Sequence, residues 1–596
     1  MTGPRARPPL GARAAVFAGW LAGFVALVDL VRLVRLPLLT DPDPSWAAAR
    51  LVLGLAVASA SAAGGVAVTA LVFAARRSPA FVKPLEALPF GAKGAGALAL
   101  AALGAGAVLR LVALERVPEW LWIDDVSLIE PALALQARWT DFADSIRSVP
   151  FGVTRLYGTV GVLYLEGYRL ALQLWGTTVF GVRFPSALAG VVSLVTGGLL
   201  GRALLPRGGG ALAVLALAGL RWHLILSRWG WVMIVLAPIV DLATLLLLRA
   251  RRRGSPAFAA AGGIVAGLGA HVYLSAWVAA AGLGAFALWP SSAGSLDAPA
   301  GQRRPPRGES LRLALLFALG FAAAAAPIFL FRDGRAVSYF ARTSDHNLAL
   351  EIARNRSVLP ALAAAADALA APWLLSDPSP RQDLPGASRL GWLLGVPVAV
   401  ALTRSLFQPR DELPAWLLSH AGAAFAATVA GGQAGVPNGS RFGYLTTVTA
   451  VAAAAGVMAL LRLAPAPRRR TAARAAVGLL ALAGGLGARD ALRVWPERPE
   501  TFSGFHGIDT MIGRAAARWE EFGHVEVAKS LGHSAVMIGA VRRYRLDQDR
   551  APAPAGAPRL RIRIIAPGPA AGGGERVVEH VRDPEGRPLA VVLARR

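Results

Sequence analysis

Two adjacent carboxylates, Asp124 and Asp125, stand in the run Glu119-Trp-Leu-Trp-Ile-Asp-Asp-Val-Ser-Leu-Ile-Glu130, just after the apolar stretch 94–114. A carboxylate where a lipid-soluble helix gives way to polar chain is placed to take a proton from a group at the bilayer surface. Three arginines could supply the complementary charge for a phosphate: Arg228 in Trp222-His-Leu-Ile-Leu-Ser-Arg228, Arg381 in Ser376-Asp-Pro-Ser-Pro-Arg-Gln-Asp-Leu-Pro-Gly386, and Arg441 in Asn438-Gly-Ser-Arg441. Asp241 interrupts the apolar run Ile234–Leu248, where an ionisable group is costly in lipid and must face a polar cavity or a partner. His271 and Tyr273, in Gly269-Ala-His-Val-Tyr-Leu-Ser275, break another apolar stretch and could line a site. Each has a plainer reading. The aspartates could be solvated loop acids, Arg228 could pair with Asp241 or snorkel, Arg381 and Arg441 could face headgroups, and His271 with Tyr273 could be an interfacial packing pair.

The elements that must position these residues are membrane spans. The chain of 596 residues is 55% hydrophobic with a mean hydropathy of +0.50 and no cysteine. Disulfides, a thiol nucleophile and thiolate metal ligands are therefore excluded, and redox compartment is undetermined. Apolar stretches of spanning length recur at 14–36, 47–74, 94–114, 184–205, 211–227, 231–248, 256–270, 272–289, 311–331, 388–404, 412–432, 442–461 and 475–489. They predict an all-α polytopic protein of about 13 transmembrane helices, with 256–270 and 272–289 readable also as one broken hairpin. The net charge of +26 is no nucleic-acid signature, because the arginines cluster between apolar segments.

Those clusters also predict orientation. Arg5, Arg7 and Arg13, then Arg76 and Arg77, Arg202 and Arg207, Arg249 to Arg253, Arg303 to Arg312, Arg404 and Arg410, and Arg462 to Arg470 all fall on one side of the alternating spans. That side is the cytoplasm by the positive-inside rule, so the N-terminus is inside and 115–183, 332–387, 433–441 and the tail from 490 lie outside. No cleavable signal peptide is evident, and the first apolar stretch reads as a retained anchor. Within 115–183, Leu156–Trp175 has the pattern of an amphipathic helix lying along the surface. The tail 490–596 predicts a small extracytoplasmic α+β domain: helices over Thr510–Glu521 and Val536–Tyr544, a linker at 551–558, a strand over Leu560–Ile565, and a hairpin in Val577–Val592 around Asp-Pro-Glu-Gly.

Residues 94–545 resemble the bacterial members of the dolichyl-phosphate-mannose protein mannosyltransferase group, of glycosyltransferase family 39 type, whose GT-C architecture is shared by the aminoarabinose transferase of lipid A. Two N-terminal spans, within 1–93, lie outside the resemblance, and 94–489 would be the catalytic core. Four features carry it: the Asp-Asp after a transmembrane helix; Leu174-Trp-Gly-Thr-Thr-Val-Phe-Gly-Val-Arg-Phe-Pro-Ser-Ala-Leu-Ala-Gly190; Trp222 to Arg228 followed by Asp241; and Ser376 to Gly386. The resemblance implies a bacterial inner-membrane glycosyltransferase. Its donor would be a polyprenyl-phosphate-linked sugar, its acceptor a lipid, glycan or protein on the extracytoplasmic face, and its outcome inversion. Asp124 matches the family's catalytic aspartate, and Asp125 stands where Glu is usual, which leaves open which of the two is the base. Arg228, Arg381 and Arg441 would bind the donor phosphate, and Asp241, His271 and Tyr273 would line the site. No cofactor is expected and the eight histidines form no zinc pattern, although a divalent ion beside Asp124 stays open because related enzymes differ on this. The competing class is a polytopic transporter or lipid flippase, against which the one-sided elaboration of long loops and tail argues.

Overall fold

The computed structural model describes residues 85–136, 162–289, 306–330, 348–373, 379–408, 411–431, 439–528, 534–544, 546, 560–567 and 575–595. Over these residues the protein is a helical bundle carrying one small sheet. Six helical stretches are long and apolar enough to cross a membrane: Ala92–Leu111, Val179–Leu204, Val232–Arg253, Arg307–Ala325, Glu412–Ala430 and Ala466–Val494. Shorter apolar helices run over Pro256–Ala270, Ala276–Leu288, Gly391–Phe407 and Leu445–Leu461. Large apolar side chains such as Leu100, Leu199 and Leu319 are exposed on the outside of these helices, as expected of a surface solvated by lipid. The chain is a multi-pass membrane protein; the spans expected at 14–36 and 47–74, and the linker at 551–558, lie outside the described residues.

One expected span is not continuous. Over 211–227 the chain forms two helices, Gly209–Ala218 and Arg221–Arg228, bent by 59°. Arg110 helps the break to be tolerated in an apolar setting: its Nη1 donates to the Ala218 carbonyl at 3.1 Å and its Nη2 to that of Leu217 at 3.0 Å, which also accepts from the Gly219 and Leu220 N–H groups. At the break the backbone touches another helix directly. A Cβ on Gly219 would fall 2.2 Å from the Cα of Gly484, and one on Gly487 would fall 2.1 Å from the Gly219 carbonyl oxygen.

Helix ends follow local chemistry. Thr178 caps Val179–Leu204 by accepting from Gly181 N at 3.1 Å. Leu236–Arg253 ends at Gly254 in the left-handed conformation (φ 65°), with Arg251, Arg252 and Arg253 in its last turn, and Pro256 opens the next helix. Contacts tie the loops at this end together: Arg252 bonds Glu412 and the Ala203 carbonyl, Arg251 bonds carbonyls of Phe286, Ala287 and Trp289, and Arg469 bonds Glu86. The opposite end holds residues 112–127, the 379–390 loop and the tail.

In the tail, the helices expected over Thr510–Glu521 and Val536–Tyr544 run over Gly507–Trp519 and Ala535–Tyr544. Four strands, β1 (Gly523–Val527), β2 (Leu560–Ile565), β3 (Arg576–Arg582) and β4 (Pro588–Arg595), form a sheet in the order β1-β2-β4-β3. β1 and β2 are parallel and the other pairs antiparallel. Alternation places Ile562 and Ile564 in the core and Arg561 and Arg563 outside. The core is completed by Ile512, Ala515 and Ala516 from the Gly507–Trp519 helix. That helix has a second set of neighbours, the residues just before the two aspartates.

Candidate active site

The backbone leading to the aspartates is held by two buried arginines. Helix Ala92–Leu111 ends in open carbonyls, and Arg228 donates to those of Leu109 (2.9 Å), Val112 (2.9 Å) and Ala113 (2.8 Å) as well as Val117 (3.0 Å). Arg183 donates to Leu114 (3.0 Å), Pro118 (2.6 Å) and Trp120 (2.6 Å). Two guanidinium groups thus gather backbone carbonyls as the chain leaves its helix, that of Ala113 accepting also from the Arg116 and Val117 N–H groups. All three nitrogens of Arg228, expected at the donor phosphate, are engaged by backbone carbonyls, so in this arrangement it clamps the loop. It does not pair with Asp241.

Asp124 and Asp125 lie in a single helical turn, Ile123–Ser127, with Trp122 as its N-cap residue. Successive side chains on a helix point about 100° apart, so the two carboxylates face different surroundings. Asp125 is fully buried. Its Oδ2 accepts from the Trp122 backbone N–H at 3.3 Å, its backbone carbonyl accepts from the Tyr168 hydroxyl, and its Oδ1 lies against Gly230, where a Cβ would approach to 3.3 Å. Burial pushes the Asp125 carboxyl up to about 7; the Arg183 charge and the Trp122 N–H oppose this, Asp124 adds to it, and the nearby Trp229 indole favours the charged form. Trp229 approaches without meeting Asp125 Oδ1 in hydrogen-bond geometry.

Asp124 faces the other way and keeps a sliver of exposure, 7%. The indole Nε1 of Trp122 donates to its Oδ2 at 2.6 Å. Against the same indole stands Arg381, its guanidinium carbon 3.8 Å from the ring centroid, a cation–π contact that brings a proline-rich loop to the aspartates. The tail closes the site. His506 packs its ring 4.7 Å from the Trp122 centroid, Phe502 meets Trp120 edge-on at 4.9 Å, and Thr510 Oγ1 accepts from Leu121 N at 3.4 Å. Arg514 donates to the Glu119 carbonyl at 2.9 Å and to its carboxylate at 3.0 Å. The Trp495 indole reaches the Pro380 carbonyl at 2.6 Å, fixing the residue before Arg381.

The remaining expected site residues are placed as follows. Arg381 stacks on the Trp122 indole that also donates to Asp124. Arg441 sits in the short turn Gly439–Phe442, whose Gly439 packs so closely on the Arg389 guanidinium that a Cβ would fall 2.5 Å from it. Arg389 in turn lies 3.9 Å from Asp383, which Arg221 holds at 2.8 Å. The turn that carries Arg441 is therefore packed, through Gly439, on Arg389, which neighbours Asp383 in the Arg381 loop. Asp241 accepts from Thr196 Oγ1 at Oδ2 and from Thr447 Oγ1 at Oδ1, each at 2.7 Å, so it joins three helices. His271 donates from Nε2 to the Ala324 carbonyl at 2.7 Å, tying its hairpin to the Arg307–Ala325 helix, and Tyr273 is buried beside it. Among the described residues no three His, Asp or Glu side chains gather as a metal site.

Sequence reasoning missed Arg183, Trp122, His506 and Asp509. Trp122 was readable in principle, since it stands two residues before Asp124 in the same run. Nothing local marks His506 and Asp509, whose relation to the aspartates exists only once the tail has docked.

No family model and no curated protein matches the sequence. Among solved structures the chain is similar to ArnT from Cupriavidus metallidurans bound to undecaprenyl phosphate, with 13% identity and a TM-score of 0.47 over 83% of this chain and 97% of that one. It is similar also to the Archaeoglobus fulgidus oligosaccharyltransferase tethered to an acceptor peptide, with 16% identity and a TM-score of 0.40 over 78% of this chain and 60% of that one. For AglB of the same organism, in complex with an inhibitory peptide and a dolichol-phosphate, the figures are 15%, 0.43, 78% and 61%.

Proposed function

We propose that the protein is a GT-C-type membrane glycosyltransferase that moves a sugar from a polyprenyl-phosphate carrier to an acceptor hydroxyl at the outer face of a bacterial inner membrane. One observation carries this reading: Asp124 and Arg381 meet across the Trp122 indole at one end of a bundle of lipid-soluble helices. A carrier with its tail in the bilayer presents its phosphosugar at that level. Asp124 takes the acceptor proton as the acceptor oxygen attacks the anomeric carbon. The carbon–oxygen bond to phosphate breaks, its electron pair leaves with the phosphate, and Arg381 stabilises the departing charge. A single displacement inverts the anomeric configuration. Arg441 belongs to the same charged loop region and is assigned to the carrier phosphate. Asp125, deeper and without exposure, positions the turn. The arginine-rich loops support a cytoplasmic N-terminus and an outer tail by the positive-inside rule.

The test is transfer of radiolabelled sugar by purified protein from a panel of polyprenyl-phosphate sugars to envelope extract. Transfer from at least one of them, with none from nucleotide sugars, is the expected result. Absence of transfer from all donors, together with lipid or solute movement in liposomes, would identify a transporter instead.

A further inference from the structure

Asp509, His506, Trp122 and Asp124 form one line of contacts. Asp509 Oδ2 accepts from His506 Nδ1 at 2.8 Å, the His506 ring lies 4.7 Å from the Trp122 ring, and Trp122 Nε1 donates to Asp124 Oδ2 at 2.6 Å. Because a carboxylate can only accept, His506 carries its proton on Nδ1. Asp509 is buried, and its other oxygen accepts from Ser534 N at 3.0 Å, so the line is anchored inside the tail. The backbone of His506 is left-handed (φ 48°, ψ 44°), a conformation uncommon for non-glycine residues, in which histidine and asparagine are enriched. Thr510 supplies a restraint: its N–H and its hydroxyl both donate to the His506 carbonyl at 2.9 Å, while the same hydroxyl meets Leu121 N, one residue from Trp122.

We propose that His506, held by Asp509, is a positioning residue that sets the orientation of Asp124 through the Trp122 indole. The proposal rests on Asp124 being the base. A base works only within a narrow range of angles to its proton donor, and an indole N–H fixed on one carboxylate oxygen sets the carboxylate plane. The tail is then part of the catalytic centre.

The test is His506→Asn. Asparagine accepts the left-handed backbone and can still donate to Asp509, but it has no ring to pack on Trp122. Expected is a fall in kcat of about tenfold with the donor KM unchanged. The double variant with Trp122→Phe should be no slower than Trp122→Phe alone, since both act on one line. Amide exchange over 120–126 should quicken in His506→Asn. Where that variant does not fold, Asp509→Asn carries the same expectations. An unchanged kcat, rate effects that multiply in the double variant, or unchanged exchange over 120–126 each overturns the proposal. Failure of the wild type to transfer from every donor defeats the transferase reading separately, and the exchange comparison still decides the contact line.

Discussion

Asp124 and Asp125 are adjacent in sequence and yet meet different surroundings, because a single helical turn aims one at the Trp122 indole and Arg381 and the other into the interior. The titration of Asp125 follows from its burial. With its carboxyl pushed up from 3.8 to about 7, the folded protein holds a proton between those values that the unfolded chain has released. The stabilisation from that proton is complete below 3.8 and is lost as pH rises through about 7, a contribution of at most about 4 kcal/mol. Melting temperature in detergent should therefore decline over that interval more for the wild type than for Asp125→Asn, which does not titrate there; parallel curves would show that Asp125 is ionised throughout. The carboxylate pair is conspicuous in the sequence as charge beside an apolar stretch, and Arg381 as a cation in a proline-rich loop. The type and place of Arg228 suit a phosphate and a carbonyl clamp equally well, and the backbone carbonyls that occupy its nitrogens leave no mark in the sequence.

At the scale of elements, hydropathy places helices well because each span must be apolar over its length, but it says little about where one breaks. The bend at Gly219 depends on Arg110, from another helix, taking the carbonyls of Leu217 and Ala218. His223 is satisfied in the same way, by Arg110 at Nδ1 (2.7 Å) and Ser193 at Nε2 (2.6 Å); since arginine only donates, Nδ1 is the acceptor and Nε2 carries the proton. Asp241 is the third such case. Physical cost in lipid signalled that it had a partner, but not that the partners are Thr196 and Thr447. Asp241→Ala removes the acceptor that joins the half-buried Thr196 and buried Thr447 hydroxyls, leaving them only the Ser193 carbonyl at 3.4 Å and the Tyr444 carbonyl at 3.0 Å, and should lower stability by about 1–3 kcal/mol, read as a melting shift, while transfer per folded molecule stays near the wild-type value. A selective loss of transfer with unchanged melting would return Asp241 to the site.

Over the whole molecule, the sequence marks the tail as compositionally distinct, and its two helices, the strand Leu560–Ile565 and the hairpin around Asp-Pro-Glu-Gly were legible, whereas strand Gly523–Val527 was not. Its docking was not, because Phe502, His506, Thr510 and Arg514 acquire meaning only against Glu119 to Trp122. Docking can be checked in membranes without background reactivity, since the chain has no cysteine. A short bifunctional maleimide should join Glu119→Cys to Arg514→Cys and leave transfer intact; no cross-link would mean that the tail does not rest on the loop. The central claim, that Asp124 removes the acceptor proton, is tested most directly by the steady-state transfer rate of Asp124→Asn beside Asp125→Asn from the same polyprenyl-phosphate sugar. The account predicts a loss of about a hundredfold or more for Asp124→Asn and a smaller one for Asp125→Asn; full activity in Asp124→Asn, or a collapse confined to Asp125→Asn, would contradict it.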